Sequence, residues 1–201
     1  MWDKLPKKRK ILIAAVFFLI VFFSSTAIGL LVNYDPQPPV EELNIDQLLM
    51  KAKEEYYQGN YKESIKQYQE VIDRSNSFSA RENLAAIYQE LGKYQLAIEQ
   101  YQKLVNQKND IGYRLALAVA YYNTDQLTAA EKEFKTITGQ KDLTTDYFYK
   151  EAYYYLALIE KRADNYDLAK DYLQQSLKSQ EWALGYYHLG EIEFLQDNYQ
   201  Q

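Results

Sequence analysis

Residues 84–104, LAAIYQELGKYQLAIEQYQKL, carry the pattern on which the fold turns. Leu84, Ala85 and Tyr88 precede Gly92 at helical spacing, and Tyr94, Ala97, Ile98, Tyr101 and Leu104 follow it at the same spacing. Apolar residues three and four apart on both sides of one Gly read as two amphipathic helices joined by a tight turn. Gly ends the first helix because it adopts the left-handed conformation without a Cβ penalty. Ala85 and Ala97 are small enough to let the two helices approach closely where they cross. Tyr101 fills the space between this pair and the next.

The same pattern recurs outward in both directions. Thirty-three residues separate Gly59 from Gly92 and Gly92 from Asp125; a step of 39 then reaches Asp164, and a further 33 reaches Asp197. The longer step reflects an insertion around residues 139–145. Seven residues before each turn stands a small residue: Ala52, Ala85, Ala118, Ala157 and Gly190. Five after it stands another, Ser64, Ala97, Ala130 or Ala169, and nine after it a large one, Tyr68, Tyr101, Phe134 or Leu173. A fixed period of this length marks stacked helical hairpins that bury a continuous core between neighbours. Gly, Asp and Asn interrupt the apolar pattern at every turn, which excludes a coiled coil.

The phasing closely resembles the tetratricopeptide repeat, most clearly in the second unit. The resemblance covers residues 45–201, in units 45–77, 78–110, 111–143 and 150–182 and an incomplete unit 183–201. Asn76 and Asn109 depart from the family by standing where a Pro often ends a unit, and Glu55, Glu160 and Glu193 replace a usual Tyr. The expected fold is all-α, an N-terminal transmembrane helix followed by a right-handed α-solenoid of about four and a half helix-turn-helix repeats. In the fifth unit the helix bearing Tyr186, Leu189, Ile192 and Leu195 ends at an expected turn, Asp197, with no second helix after it. Further repeats, pairing with another protein or self-association would cover it.

The start of the chain has a different character. Residues 11–32, ILIAAVFFLIVFFSSTAIGLLV, hold no charged residue. A helix of that length reaches roughly 33 Å, enough for a ~30 Å hydrocarbon core. Lys4, Lys7, Lys8, Arg9 and Lys10 precede the run, whereas Asp35, Glu41, Glu42 and Asp46 follow it. This asymmetry places residues 1–10 in the cytoplasm and the remainder outside, as a single-pass cell-membrane protein. The small pair Ser25 and Ala27 also fits a cleaved secretory signal, but the apolar run continues past it to Val32, which favours an uncleaved signal anchor. Residues 33–44, with Pro36, Pro38 and Pro39, form a stiff extended linker.

Composition narrows the function. No Cys is present, so disulfides, thiolate metal sites and a Cys nucleophile are excluded. One His, His188, and seven Gly argue against His-rich metal sites and a Gly-rich phosphate loop. Neither a cofactor nor a metal is expected. Five of the 23 basic and one of the 28 acidic residues lie in residues 1–32, so the remainder carries a net charge of −9. That balance disfavours nucleic acid and anionic headgroups as partners. Glu160 with Glu193, or His188 with Glu191, are the available acid–base pairs. Isolated carboxylates on repeat helices are ordinarily solvated, and no enzymatic activity is expected.

The family resemblance implies a concave groove built from the first helix of each unit. Carried over, its wall holds Leu49, Lys53, Tyr56 and Tyr57, then Glu82, Asn83, Ala86 and Gln89. It continues with Leu115, Val119 and Tyr122, with Tyr154, Tyr155, Leu158 and Lys161, and with Tyr187, His188, Glu191 and Phe194. Family members that clamp a C-terminal carboxylate need Lys and Asn where Leu49 and Lys53 stand, and Lys and Arg where Gly112 and Ala116 stand, so that subtype does not apply. Most of the 21 Tyr fall at packing positions such as Tyr61, Tyr68, Tyr94 and Tyr101. The groove Tyr instead offer large contact areas, few rotatable bonds and a hydroxyl. The expected function is that of a bacterial membrane-anchored interaction scaffold or chaperone-like adaptor. It would bind peptide segments of other proteins in an aromatic groove, with residues 11–32 in the membrane. The alternative is the anchored N-terminal part of a larger protein of cell-envelope or polysaccharide assembly.

Overall fold

A computed structural model describes Pro6 and residues 43–140, 146–179 and 182–199. The expected cytoplasmic segment, the membrane-spanning run and most of the linker lie outside the described residues, as do residues 141–145 of the insertion. Among the described residues, no helix is long and apolar enough to cross a membrane.

The described residues form nine helices and no strand: α1 (Ile45–Tyr57), α2 (Tyr61–Ser75), α3 (Phe78–Glu90), α4 (Tyr94–Gln107), α5 (Ile111–Asn123), α6 (Leu127–Thr138), α7 (Asp146–Arg162), α8 (Tyr166–Ser179) and α9 (Ala183–Tyr199). Each packs on its neighbours in sequence, and α5 also touches α7. The odd-numbered helices are the first helices of the units.

The turns form as the spacing requires. Gly59 and Gly92 take φ of 79° and 67°, and Asp125 and Asp164 take 61° and 59°. Asp pays a steric penalty there that Gly avoids. Ala52, Ala85 and Ala118 are fully buried and Ala157 is 1% exposed; facing them, Ser64, Ala97, Ala130 and Ala169 are fully buried. In the first unit the approach is close enough for the Ser64 hydroxyl to donate to the Ala52 carbonyl, at 2.7 Å. The large positions are core residues: Tyr68, Tyr101, Phe134 and Leu173 are all buried.

The first helix begins at Ile45, where the repeats are expected to start. Asn44 caps α1 in a reciprocal box with Gln47, and the Leu43 carbonyl accepts from Arg74 at 3.0 Å. At the other end, the expected turn at Asp197 is not made, because α9 continues to Tyr199. At Asp125 and Asp164 the unfavourable left-handed backbone leads directly into a packed helix, α6 or α8.

Candidate functional site

The first helices gather aromatic rings most densely across the third, fourth and fifth units. Tyr122 on α5 meets Tyr155 on α7 at 5.1 Å between ring centres, and Tyr155 meets Tyr154 at 5.4 Å. Tyr154 then meets Trp182 at 4.9 Å and His188 on α9 at 5.6 Å, and His188 meets Tyr187 at 5.2 Å. Most of these contacts are edge-to-face, the favoured arrangement for ring quadrupoles. The chain of rings is anchored from below, where Tyr155 stacks on buried Phe134 at 5.1 Å. Cations sit over both ends: the Arg162 guanidinium lies 5.8 Å from the Tyr122 ring, and Lys150 Nζ lies 4.6 Å from the Trp182 ring.

Polar bonds lock this surface at the junction of α7 and α9. The Tyr154 hydroxyl and His188 Nε2 are 3.2 Å apart, and His188 Nδ1 and Glu191 Oε2 are 2.9 Å apart. Lys161 Nζ reaches the other Glu191 oxygen at 2.6 Å. Hydrogen bonds from Lys161 and His188 hold the Glu191 carboxyl below its ordinary pKa. Burial pushes the Tyr154 hydroxyl up, and that of Tyr155 up to about 12. These are neutral phenols at physiological pH, suited to contact and hydrogen bonding.

A second feature lies between α3, α4 and α5. It is an open hollow of about 360 Å³ lined by Ala86, Gln89, Glu90, Tyr94, Tyr101, Val119 and Asn123. Glu90 at its rim accepts from the Tyr56 hydroxyl at 2.8 Å and the Tyr61 hydroxyl at 3.0 Å. Those bonds raise the pKa of both phenols.

The expected groove residues therefore fall into distinct settings. Tyr122, Tyr154 and Tyr187 join one ring chain through Tyr155 and His188. Val119 lines the hollow, together with Ala86 and Gln89. Tyr57 is exposed and rests edge-on against Tyr56, which is tied to Glu90. Lys53 and Phe194 are exposed, while Leu49 and Leu158 are half-buried. Asn83 bonds the Ser79 carbonyl of its own helix at 2.8 Å. Leu115 requires correction. It is 8% exposed, inside the core cluster that contains Ala152 and Leu156 of α7, because α5 and α7 pack directly.

Two polar arrangements inside the units were not anticipated. Arg81 bonds Gln100 at 3.0 Å and Asn76 at 2.8 Å; one period later, Arg114 pairs with Glu133 and bonds Asn109. The Asn residues standing in place of Pro thus receive an Arg. The Glu residues standing in place of Tyr have a partner as well: Glu55 accepts from Asn60, and Glu160 from Asn165, both at 2.8 Å. The five-residue Glu-to-Asn spacing, present again at Glu193 and Asn198, was the available signal. Among the described residues, no group of His, Asp and Glu is placed to hold a metal ion.

Residues 49–114 and 151–179 each match a family model of the tetratricopeptide repeat. No curated protein sequence matches the chain. Among solved structures, a crystal structure of MamA protein shares 19% identity over 77% of this chain and 85% of its own, with a TM-score of 0.66. MamA residues 41-end from Desulfovibrio magneticus RS-1 share 17% identity over 70% of this chain and 77% of their own, at 0.58. A tetratricopeptide repeat protein from Parabacteroides merdae ATCC 43184 shares 18% identity over 76% of this chain and 61% of its own, at 0.64. These likenesses support the all-α repeat fold.

Proposed function

We propose that this chain is a non-catalytic interaction scaffold, anchored in the bacterial cell membrane by residues 11–32, with its repeats on the extracytoplasmic side. The first-helix surface captures peptide segments of other proteins. The observation that carries this reading is the ring chain from Tyr122 to Tyr187, which draws aromatic groups from three units onto one surface. Core packing does not require all of it, since Tyr187 remains 65% exposed. Rigid rings with neutral hydroxyls give contact area at little cost in side-chain entropy. The bound segments are apolar or basic, because the chain beyond residue 32 carries a net charge of −9.

The membrane anchor is supported by the charge-free run and by the basic residues before it. Anchoring raises the local concentration of the scaffold for partners at the same membrane. A Tyr122→Ala/Tyr187→Ala double variant tests the surface, because it spares the half-buried Tyr155 and the bonded Tyr154. Photo-crosslinking from Gln89 and Leu158 in native membranes is expected to capture discrete partners that the double variant loses. An unchanged set of crosslinks refutes capture on this surface. Protease treatment of intact spheroplasts tests the topology, and a protected repeat domain refutes the extracytoplasmic placement.

A further inference from the structure

The hollow between α3, α4 and α5 uses the same register positions twice. Ala86 and Glu90 on α3 stand 33 residues before Val119 and Asn123 on α5, so the two first helices present matching edges across it. Gln89 and the α4 residues Tyr94 and Tyr101 complete its lining. At about 360 Å³ it stands at the small end of ligand sites, about 300–1,000 Å³, and suits a single side chain. Tyr122 lies between Val119 and Asn123 on α5, so the hollow adjoins the ring chain.

Its polar groups are mostly acceptors. Gln89 Oε1 is buried without a hydrogen-bond partner. Glu90 is the charged residue of the lining, and its carboxylate accepts from the Tyr56 and Tyr61 hydroxyls. Among the described residues no Lys or Arg pairs with it. A carboxylate has about four lone-pair sites, so two phenols do not exhaust it. Asn123 commits its amino group to the Val119 carbonyl at 2.8 Å, and what it has left to offer is its side-chain carbonyl oxygen. An apolar side chain entering the hollow would strand these acceptors, and a carboxylate would meet like charge. One unit on, the chain supplies a cation of its own at this register. Arg162 on α7 is the counterpart of Asn123; its guanidinium bonds Asp125 at 2.7 Å and lies 5.8 Å from the Tyr122 ring. On α5 that position is Asn, and Glu90 opposite it has no cation.

We propose that the hollow receives the side chain of an arginine on a captured peptide, its guanidinium held by Glu90, Gln89 Oε1 and the side-chain carbonyl of Asn123. The inference rests on the peptide-capturing reading of the first-helix surface and names a residue that the peptide must carry. Arginine fits better than lysine because the acceptors sit on two helices. A planar guanidinium spreads five donors in several directions and stacks on rings such as Tyr94 and Tyr101, whereas an ammonium is a compact, strongly hydrated point charge. Charge-assisted bonds to Glu90 are the strong element of the contact. A bound segment then places an arginine between α3 and α5 and apolar side chains on the neighbouring rings.

Selection of random dodecapeptides displayed on phage, against the full 201-residue chain held in detergent micelles, tests this. The enriched peptides are expected to carry arginine at one position about fivefold above its frequency in the library, beside apolar residues. Glu90→Gln removes the charge and keeps an acceptor for both Tyr hydroxyls. Asn123→Arg fills the hollow with a guanidinium of the chain's own, as Arg162 does one unit on. Each variant is expected to return arginine to its library frequency while apolar enrichment and the melting temperature hold. Apolar peptides without arginine on the unaltered chain overturn the arginine site and leave peptide capture standing, whereas no enrichment of any sequence overturns both. Equal enrichment of lysine and arginine overturns the choice of guanidinium. An arginine preference that survives both substitutions overturns its placement in the hollow.

Discussion

The third and fourth repeats fill one structural position with opposite chemistry. Eleven residues before the turn, α5 carries Arg114 and α7 carries Tyr153; eight after it, α6 carries Glu133 and α8 carries Tyr172. The third repeat closes this position with an ion pair between side chains only 15% and 16% exposed, and the fourth closes it with two rings. The second repeat follows the third in kind, with Arg81 on Gln100. The Arg solution is imperfect, since Nε of both Arg81 and Arg114 is buried without a protein partner. The backbone period thus constrains size and closeness at this position rather than polarity. The charged version depends on its partner in a way that the aromatic version does not.

Alkali should erase the distinction and produce the largest loss. Tyr101 and Tyr113 near the second and third repeats, and Tyr155 in the fourth, have hydroxyls pushed up from 10.0 to about 12. A raised folded-state value means that stability is complete below pH 10 and disappears as pH rises through about 12. Tyrosinate absorbance and helix signal should therefore change together in that window, rather than tyrosinate appearing first on an intact fold. Next in size is Arg114→Ala, which strands Glu133 and should cost about 2–3 kcal/mol in urea unfolding. Transplanting the fourth repeat's pair, as Arg114→Tyr with Glu133→Tyr, should recover most of that loss. A double variant as weak as Arg114→Ala would show that the two solutions are not interchangeable.

Acid should act at the junction of the fourth and fifth units. The Glu191 carboxyl is held below its ordinary 4.5. A depressed folded-state value means that its stabilising effect is present above that pH and is lost as pH falls through the folded value. Hydrogen exchange in α9 should accelerate on acidification well before exchange in α3 to α6, and simultaneous acceleration would count against the local lock. The smallest effect concerns the turns. Asp164→Gly should raise stability by about 0.5–1 kcal/mol, and Gly92→Ala should lower it by about 1 kcal/mol, because both positions are left-handed. Thermal unfolding of the two variants should move in opposite directions.

What was legible from the chain is what steric necessity imposes at every repeat. Gly59, Gly92, Asp125 and Asp164 sit where the backbone turns left-handed, and the Ala and Ser seven before or five after them sit where helices touch. Three features were not legible. Leu115 shares a register position with Leu49, Tyr154 and Tyr187, yet it is buried because α5 and α7 pack directly. Arg81 and Arg114 look like surface charges until the helix pairing brings Gln100 and Glu133 to them. Asp197 has the sequence of a turn, yet α9 runs through it to Tyr199. Of the groove expectations, the ring chain from Tyr122 through Tyr154 to Tyr187 emerged as one assembly, whereas Tyr56 serves as a tie between units. Ring assembly depends on which first helices lie side by side, a relation that periodicity alone does not contain.

The lone imidazole of this molecule carries a practical consequence. His188 is wedged between Tyr154 on α7 and Glu191 on α9, where ring chain and ion pair meet. A chain with a single His gives a single set of imidazole resonances. Those signals form an unassigned-spectrum gauge of that joint, readable in intact membranes after labelling with isotopic histidine. Peptide seated on the neighbouring rings would shift them through ring currents, and loosening of α9 would broaden or move them toward free histidine. The protein carries its own spectroscopic reporter at the junction of α7 and α9, with no label that alters a side chain.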